Sequence, residues 1–166
     1  VEDHVANIRA ICRTLIDAVC ERGSCEFVRE VAAPLPMAII GDMLGVLPED
    51  RGRLLEWSDD LVTASGNDDP GAKEKSARAA LEWMPYAQDG VKDRRSQPMK
   101  GDLISTLCPS EIDGERLEDE EIIQESLLIL VGGDETTRHV IVQGMEALVR
   151  NPDQRQLLLD DPSKIT

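Results

Sequence analysis

The sequence predicts an all-α domain. Three observations support this prediction: apolar residues recur at steps of three and four, no run alternates as a half-buried strand does, and residues 117–150 contain no proline. A chain of 166 residues can bury about 70% of its unfolded surface, which is enough for one hydrophobic core. We therefore expect residues 1–166 to form one helical domain or most of one.

The first part of the chain predicts three helices. An apolar stripe predicts a first helix that ends at Gly23. A buried helix is expected from about Pro36 to Leu44 and ends at Gly45, because proline favours helix starts and glycine favours helix ends. Pro48, followed by two acidic residues, predicts the start of a third helix that continues through Leu61. The stripe of the first helix consists of Val5, Ile8, Cys12, Leu15 and Val19.

The middle of the chain predicts a fourth helix between two breaks. Residues 64–72 are rich in Gly, Asn, Asp and Pro, which is typical of a mobile surface connection. The helix is expected from about Lys73 to Arg94, and Pro85 and Gly90 are expected to disturb it. Residues 96–101 predict the second break.

The last third predicts the longest element. Asp113-Gly114 predicts a tight turn, and a helix from about 118 to 150 comes after it, which would be about 50 Å long. The acidic residues 118–121 lie in its first turn and Arg150 lies at its end, an arrangement that suits the helix dipole. Asn151-Pro152 predicts the cap and the first residue of a final helix.

Composition excludes several classes of function. The formal net charge is −15 and aromatic residues make up 2% of the chain, which argues against nucleic acid and anionic membranes as partners. No apolar run approaches the roughly 20 residues of a transmembrane segment, and no leader is recognisable. No cysteine pair has metal or redox spacing, so we expect reduced thiols, no metal site and a cytoplasmic location. The cysteines are Cys12, Cys20, Cys25 and Cys108.

One segment in the longest predicted helix is unfavourable by local energetics. Residues 132–137 read Gly-Gly-Asp-Glu-Thr-Thr, and each mid-helix glycine costs roughly 1 kcal/mol relative to alanine. Glycine lets a bulky flat ligand approach the backbone, and it lets the helix open locally, so we expect a distortion near 132–136. At a spacing of four, Leu128, Gly132 and Thr136 share one face, with Val131 and Glu135 beside it. An apolar wall, a gap, a hydroxyl and a carboxylate together predict small-molecule chemistry.

The same segment is compatible with structural roles as well. The glycine pair also fits close helix packing, and Glu135 with Arg138 also fits a solvated i, i+3 pair.

The Gly-Gly-Asp-Glu signature of cyclic-dinucleotide cyclases needs an aromatic where Thr136 stands. Zinc and di-iron helices need ExxH or HExxH, whereas Glu135 and His139 are four apart. The alternative function is a non-catalytic acidic helical interaction module.

Two motifs in order resemble one family. Residues 132–137, with Arg138 and the Asn-Pro-Asp-Gln at 151–154, resemble the Ala/Gly-Gly-x-Asp/Glu-Thr segment of the cytochrome P-450 central helix and the start of the helix after it. Residues 34–50 are similar to the part of that family that precedes the substrate-lid helices. The resemblance implies that residues 1–166 are the central helical part of the cytochrome P-450 fold, without its N-terminal part and its haem-ligand loop. Within the family, residues 132–139 and Trp57-Ser58-Asp59-Asp60 are most similar to actinobacterial enzymes that oxidise the side chain of cholesterol or cholestenone.

The resemblance also implies a reaction. Such enzymes are haem-thiolate monooxygenases that hydroxylate a hydrophobic substrate, here a steroid side chain, with dioxygen and two electrons from a ferredoxin-type donor. The cofactor would be haem b, and its axial cysteine would lie outside this chain, because no cysteine of the chain stands in a glycine-bearing ligand loop. The segment by itself is therefore expected to be inactive. Residues 57–94 would form the mobile lid.

The resemblance assigns roles residue by residue. Glu135 matches the acid of the family's proton-delivery pair. Thr136 matches the hydroxyl that holds the oxygen species and its water, and it also belongs with Gly132 and Gly133 to the cofactor-binding group. Leu128 and Val131 fall where substrate-wall residues are expected.

Overall fold

The computed structural model describes residues 2–97 and 100–165, and most of them are helical. Short 3₁₀ turns at Pro48–Asp50 and Pro162–Lys164 and a π-helical turn at Val28–Ala32 lie between or beside the α-helices. The all-α prediction is thereby confirmed. The α-helices are α1 (Glu2–Cys20), α2 (Pro34–Leu44), α3 (Arg51–Thr63), α4 (Pro70–Ser96), α5 (Leu103–Leu107), α6 (Asp119–Arg150) and α7 (Pro152–Asp160).

A small hairpin that the sequence did not predict interrupts the helical pattern. Strand β1 (Glu111–Ile112) pairs antiparallel with β2 (Glu115–Arg116). Two residues are too few to show the alternation by which a strand is recognised. The turn between the strands was predicted correctly: Asp113 and Gly114 have φ values of 56° and 86°, and two positive φ values are typical of a tight hairpin turn.

The core lies where α2, α3 and α4 pack around α6. Each of these three helices contacts α6, and α3 and α4 also contact each other extensively. Helix α1 packs mainly on α2 and on the π-helical turn, so its predicted apolar stripe is only partly buried. The fully buried large side chains of this core include Met37, Leu44, Leu54, Trp83, Val91, Ile122 and Leu130.

Helix α4 is longer and more regular than the sequence predicted. It begins at Pro70 rather than Lys73, because the Asp69 side chain caps it by accepting a hydrogen bond from the Ala72 N–H at 3.0 Å. The helix also continues through Pro85 and Gly90. Pro85 is exposed, whereas a buried face at a spacing of four packs on the neighbouring helices, and this burial outweighs the local cost of proline. That face consists of Ala79, Trp83, Ala87 and Val91.

Aromatic side chains join α3 to α4 as one hairpin, residues 51–96, which we call the α3–α4 hairpin. The rings of Trp57 and Trp83 meet edge to face, with centroids 5.9 Å apart. The Trp57 indole N–H donates to Glu82 of α4 at 2.9 Å, and the Arg53 guanidinium of α3 lies 6.0 Å from the Tyr86 ring centroid of α4. Apolar, polar and cation–π contacts therefore all hold the two helices together.

One arginine anchors both ends of this hairpin. Arg94, near the end of α4, donates to the Gly45 carbonyl at 2.8 Å and to Asp102 at 3.1 Å. The Arg94 and Asp102 side chains are only 12% and 7% exposed. Because Gly45 precedes the hairpin and Asp102 follows it, the chain enters and leaves the hairpin at the same guanidinium.

We expect Gly45→Ala to destabilise the fold strongly. Gly45 has a φ of 67° and ends α2 in a Schellman motif, in which the Val46 N–H donates to the Gly41 carbonyl at 2.8 Å. A Cβ at this position would overlap Arg94 and Asp102. The strained φ costs roughly 1–2 kcal/mol, and displacing a buried ion pair adds about 3 kcal/mol.

Gly23→Ala is the matched control, measured by urea unfolding beside Gly45→Ala. Gly23 also has a positive φ, 73°, but a Cβ there would meet nothing within 4 Å, so only the backbone strain of roughly 1–2 kcal/mol is expected. Equal losses in free energy of unfolding for the two variants would contradict the anchoring role of Arg94.

Within the described ranges, no helix is both long enough and apolar enough to cross a lipid bilayer.

Candidate active site on helix α6

Helix α6 carries the predicted site, and its boundaries agree closely with the prediction of about 118–150. Glu118 and Glu121 form a capping box, in which the Glu118 N–H donates to the Glu121 carboxylate at 2.8 Å. Acidic residues occupy the first turn and Arg150 the last, as predicted. The helix is α-helical at every position of the Gly-Gly-Asp-Glu-Thr-Thr segment, so the distortion expected near 132–136 is not present.

The predicted substrate residue Leu128 and the predicted cofactor residues Gly132 and Thr136 lie along the exposed side of α6, which we call its open side. Leu128 is 66% exposed and Val140 is 72% exposed, and the exposed Gly132 and Thr136 lie between them at a spacing of four. Val131 lies beside this stripe and is partly buried. An apolar stripe exposed along a central helix is typical of a surface that binds another apolar body.

The two glycines of the segment have different surroundings. A Cβ on Gly133 would lie 3.0 Å from Ile40 Cδ1, so Gly133 lets α2 approach α6 closely. A Cβ on Gly132 would meet nothing within 4 Å. Close helix packing therefore accounts for Gly133, whereas Gly132 opens the exposed side of the helix.

The Thr136 hydroxyl points back along the helix. It donates to the Gly132 carbonyl at 2.8 Å, as threonines within helices often do. Since its proton is used in this hydrogen bond, the hydroxyl oxygen offers its remaining lone pairs as acceptors on the exposed side.

Glu135 belongs to a network of charges that reaches α3. Its carboxylate is paired with Arg138 one turn later, and the same Arg138 nitrogen lies 2.7 Å from the Asp59 carboxylate of α3. Arg138 is only 13% exposed. The Glu135–Arg138 pair is therefore more than the solvated surface pair that the i, i+3 spacing alone allowed.

Asp134 is the buried member of this network, and sequence reasoning missed it. It is fully buried, and its Oδ2 accepts a hydrogen bond from the Ser58 hydroxyl of α3 at 3.1 Å. Asp134 continues the buried face of α6 at a spacing of four from Ser126 and Leu130, and a polar residue on such a face was the signal available in the sequence.

Burial and two neighbouring carboxylates raise the pKa of Asp134, although Arg138 and the Ser58 hydrogen bond oppose the shift. One oxygen each of Asp59, Asp134 and Glu135 lies within 4.8 Å of the other two. Arg138 contacts all three residues. Three carboxylates thus share one cation, and the raised pKa of Asp134 is the response expected of the buried member.

We expect Asp134→Asn to flatten the pH dependence of stability. Because the folded state holds the Asp134 proton to a higher pH than the unfolded state, the free energy of unfolding falls as pH rises from the ordinary carboxyl range through the raised folded pKa. Asparagine cannot titrate, yet its amide oxygen can still accept from Ser58. The variant should therefore be at least as stable as the wild type at neutral pH.

Urea unfolding at a series of pH values measures this effect. Asp153→Asn serves as a control, because Asp153 is exposed and its pKa is lowered by hydrogen bonds, chiefly from Gln154. Asp153→Asn should change the slope of the free energy of unfolding against pH in the direction opposite to that of Asp134→Asn. Identical slopes for wild type and Asp134→Asn would contradict the burial argument.

Comparisons with known proteins agree with this fold. No family model matches the chain. The chain is 54% identical to a steroid C26-monooxygenase of Mycobacterium tuberculosis over 98% of its length, and 37% identical to a vitamin D(3) 25-hydroxylase of Pseudonocardia autotrophica over 96%. Among solved structures, the myxobacterial cytochrome P450 CYP267B1 in complex with myristic acid matches 98% of the chain, with 35% identity and a TM-score of 0.87.

The chain belongs to the cytochrome P450 family. These likenesses support this, together with the long helix α6, its Gly-Gly-Asp-Glu-Thr-Thr segment and the helices packed around it. The chain spans 44%, 38% and 40% of the lengths of these three matches. Its fold is the helical part of the cytochrome P450 fold, as predicted. Within the family, it resembles the actinobacterial steroid hydroxylases.

Proposed function

We propose that this chain is the central segment of a haem-thiolate monooxygenase, here called the parent enzyme, that hydroxylates the side chain of a steroid. The observation that carries this proposal is the open stripe on α6, where an apolar wall, a glycine gap and a hydroxyl follow one another beside a carboxylate. The 54% identity to a steroid C26-monooxygenase supports the steroid as substrate. The 37% identity to a vitamin D(3) 25-hydroxylase supports a hydrophobic molecule as substrate.

The exposed side of α6 fits a haem. Gly132 leaves the backbone accessible to a flat ring, and the exposed apolar side chains at 128 and 140 extend the surface along which that ring would pack. Gly132 and Thr136 would contact the haem, with Gly133 behind them where the helix packs on α2. When bound, haem b with a cysteine thiolate supplies the activation of dioxygen, and we place that cysteine in the part of the parent enzyme outside this chain.

The side chains of this segment orient the substrate and handle protons. The Thr136 hydroxyl oxygen is free to accept a hydrogen bond from a water or ligand on the open side. Glu135 lies next to it in the sequence and is partly buried, so it can receive a proton from solvent and pass it towards that hydroxyl. Leu128 and Val131 would form part of the wall against which the apolar substrate packs.

The α3–α4 hairpin would cover the substrate. It lies against α6 through α3 and α4, and its connection at residues 64–69 contains Gly66 with a φ of 71°. Two electrons would come from a ferredoxin-type donor. The free thiols of Cys12, Cys20, Cys25 and Cys108 support action in the reducing cytoplasm.

We expect the 166-residue chain alone to give no thiolate-haem signal, because its cysteines are not in a ligand loop. The measurement is the absorption spectrum of the reduced carbon-monoxide complex after haem is added. The parent enzyme, given a ferredoxin-type donor and cholestenone, should show that signal and form a side-chain alcohol. A parent protein without the signal or the product would refute the oxygenase and favour the non-catalytic interaction module.

A further inference from the structure

A cleft of about 460 Å³ lies where α1, α2 and α3 meet. Helices α1 and α3 both pack on α2, and all the residues that line the cleft come from these three helices, so it is not formed by the open side of α6. Its lining is mainly apolar and includes Ile11, Leu15, Met37 and Leu55. This volume and this composition are typical of a site for one small molecule.

Arg51, in the first turn of α3, is the charged residue of this lining. A Cβ at Gly41 of α2 would lie 3.3 Å from Arg51 Cγ, so the glycine lets the arginine side chain lie directly on α2. Among the described residues, the buried Nε of Arg51 has no hydrogen-bond partner. A buried N–H without an acceptor is costly. An acceptor oxygen placed beside Arg51 in the cleft would remove that cost.

The charge of Arg51 is already balanced by a carboxylate. Its Nη2 donates to Asp42 Oδ1, and the Asn7 side chain donates to Asp42 Oδ2 at 2.9 Å, which holds that carboxylate in place. A second carboxylate beside Arg51 would be repelled by Asp42. A neutral oxygen, such as that of an alcohol or a ketone, can accept from the Nε–H without this repulsion.

The remaining polar side chain of the lining has no proton to offer, because the Thr14 hydroxyl donates to the Ala10 carbonyl of its own helix at 3.1 Å. We propose that the cleft binds a neutral, mainly hydrocarbon molecule with one oxygen acceptor, such as a long-chain alcohol or ketone. The hydrocarbon packs on the apolar lining, and the oxygen accepts from the Nε–H of Arg51. This site does not rest on the proposed function, and its test needs no turnover.

Photolabelling of the parent enzyme tests the proposal. The probe is dodecanol with a diazirine in its chain, and peptide mass spectrometry locates the label after irradiation. We expect label on residues 10–15 and 34–38, which line the cleft. Dodecane and dodecanoate with the same diazirine should need about tenfold higher concentrations for half-maximal labelling there, since a hydrogen bond to a charged donor contributes at least that factor.

Gly52→Leu is the variant that fills the cleft. Gly52 belongs to the lining, and a Cβ there would meet nothing within 4 Å, so the leucine side chain enters open space without overlap. The fold should be kept, because leucine favours a helix more than glycine does. Labelling of residues 10–15 and 34–38 by the dodecanol probe should fall about tenfold or more.

Arg51→Met removes the donor and keeps an unbranched side chain on α2. It should weaken labelling by the dodecanol probe about tenfold and abolish the difference between dodecanol and dodecane. Arg53→Met is the matched control: Arg53 lies two positions later in α3, is exposed, and pairs with Asp50 at 3.7 Å rather than lining the cleft. It should label as the wild type does.

Three results would overturn the proposal. Wild-type enzyme without label on residues 10–15 and 34–38 would mean that another segment of the parent enzyme fills the cleft. Labelling by dodecanoate at lower concentrations than by dodecanol would mean that the ligand is an anion. Equal labelling of wild type and Gly52→Leu would mean that the probe reaches these residues from outside the cleft.

Discussion

Thr136→Ala in the parent enzyme is expected to keep substrate affinity near the wild-type value and to divert most electron pairs away from product. The variant loses the Thr136 hydroxyl, whose oxygen is an acceptor on the open side of α6. Without it, dioxygen, two electrons and two protons leave as hydrogen peroxide instead of forming alcohol and water. We expect product formed per electron pair to fall about tenfold or more, the scale of losing a positioned proton-transfer group.

The measurement compares product, peroxide and electron donor consumed. Thr137→Ala is the matched control, because Thr137 is also an exposed threonine of α6 but lies on a different face of the helix. It should retain wild-type coupling. If Thr136→Ala also retained wild-type coupling and changed only stability, by about 1 kcal/mol, Thr136 would have a purely structural role.

Glu135→Gln is expected to reduce kcat by roughly 10²-fold or more, because glutamine cannot transfer a proton. Arg138 can still donate to the amide oxygen, so the fold and the position of α3 should be maintained. Steady-state turnover with cholestenone, in H₂O and in D₂O, measures the effect. The loss should appear in kcat rather than in KM.

Glu146→Gln controls for the loss of a charge on the same helix. Glu146 is exposed and pairs with Arg150 at 2.5 Å, near the end of α6. It should leave turnover unchanged. A loss below about threefold in Glu135→Gln would fall short of the range expected for a positioned proton donor, and it would reassign Glu135 to a role in holding Arg138.

Local signals in the sequence were sufficient to predict the bounds of those helices whose capping residues lie close to the helix ends. The capping residues of α6 and the glycine that ends α2 lie within a few residues of the boundaries they define, so both ends could be predicted closely. Pro85 misled the prediction for α4, because the burial of Trp83 and its neighbours is a tertiary effect that outweighs local preference.

The candidate site was predicted on one helix only. Leu128, Gly132 and Thr136 could be placed on one face because helical periodicity is local. The partners in α3 could not be predicted, since Ser58 and Asp134 are 76 positions apart and Asp59 and Arg138 are 79 apart. Likewise, the difference between the two glycines depends on Ile40, which reaches Gly133 only after α2 has packed.

Both ends of the α3–α4 hairpin are held at Arg94, so a rotation of the hairpin at this end displaces its far turn the most. The far turn, at the end of the 13-residue α3, lies about 20 Å from the start of that helix at 1.5 Å per residue. A rotation of about 10° about the start of α3 would therefore move the turn by about 3.5 Å, and it would move Asp59, roughly 12 Å along α3, by about 2 Å. A displacement of that size separates Asp59 from Arg138, so a small angular fluctuation at a distant salt bridge is amplified into the loss of a contact at the site.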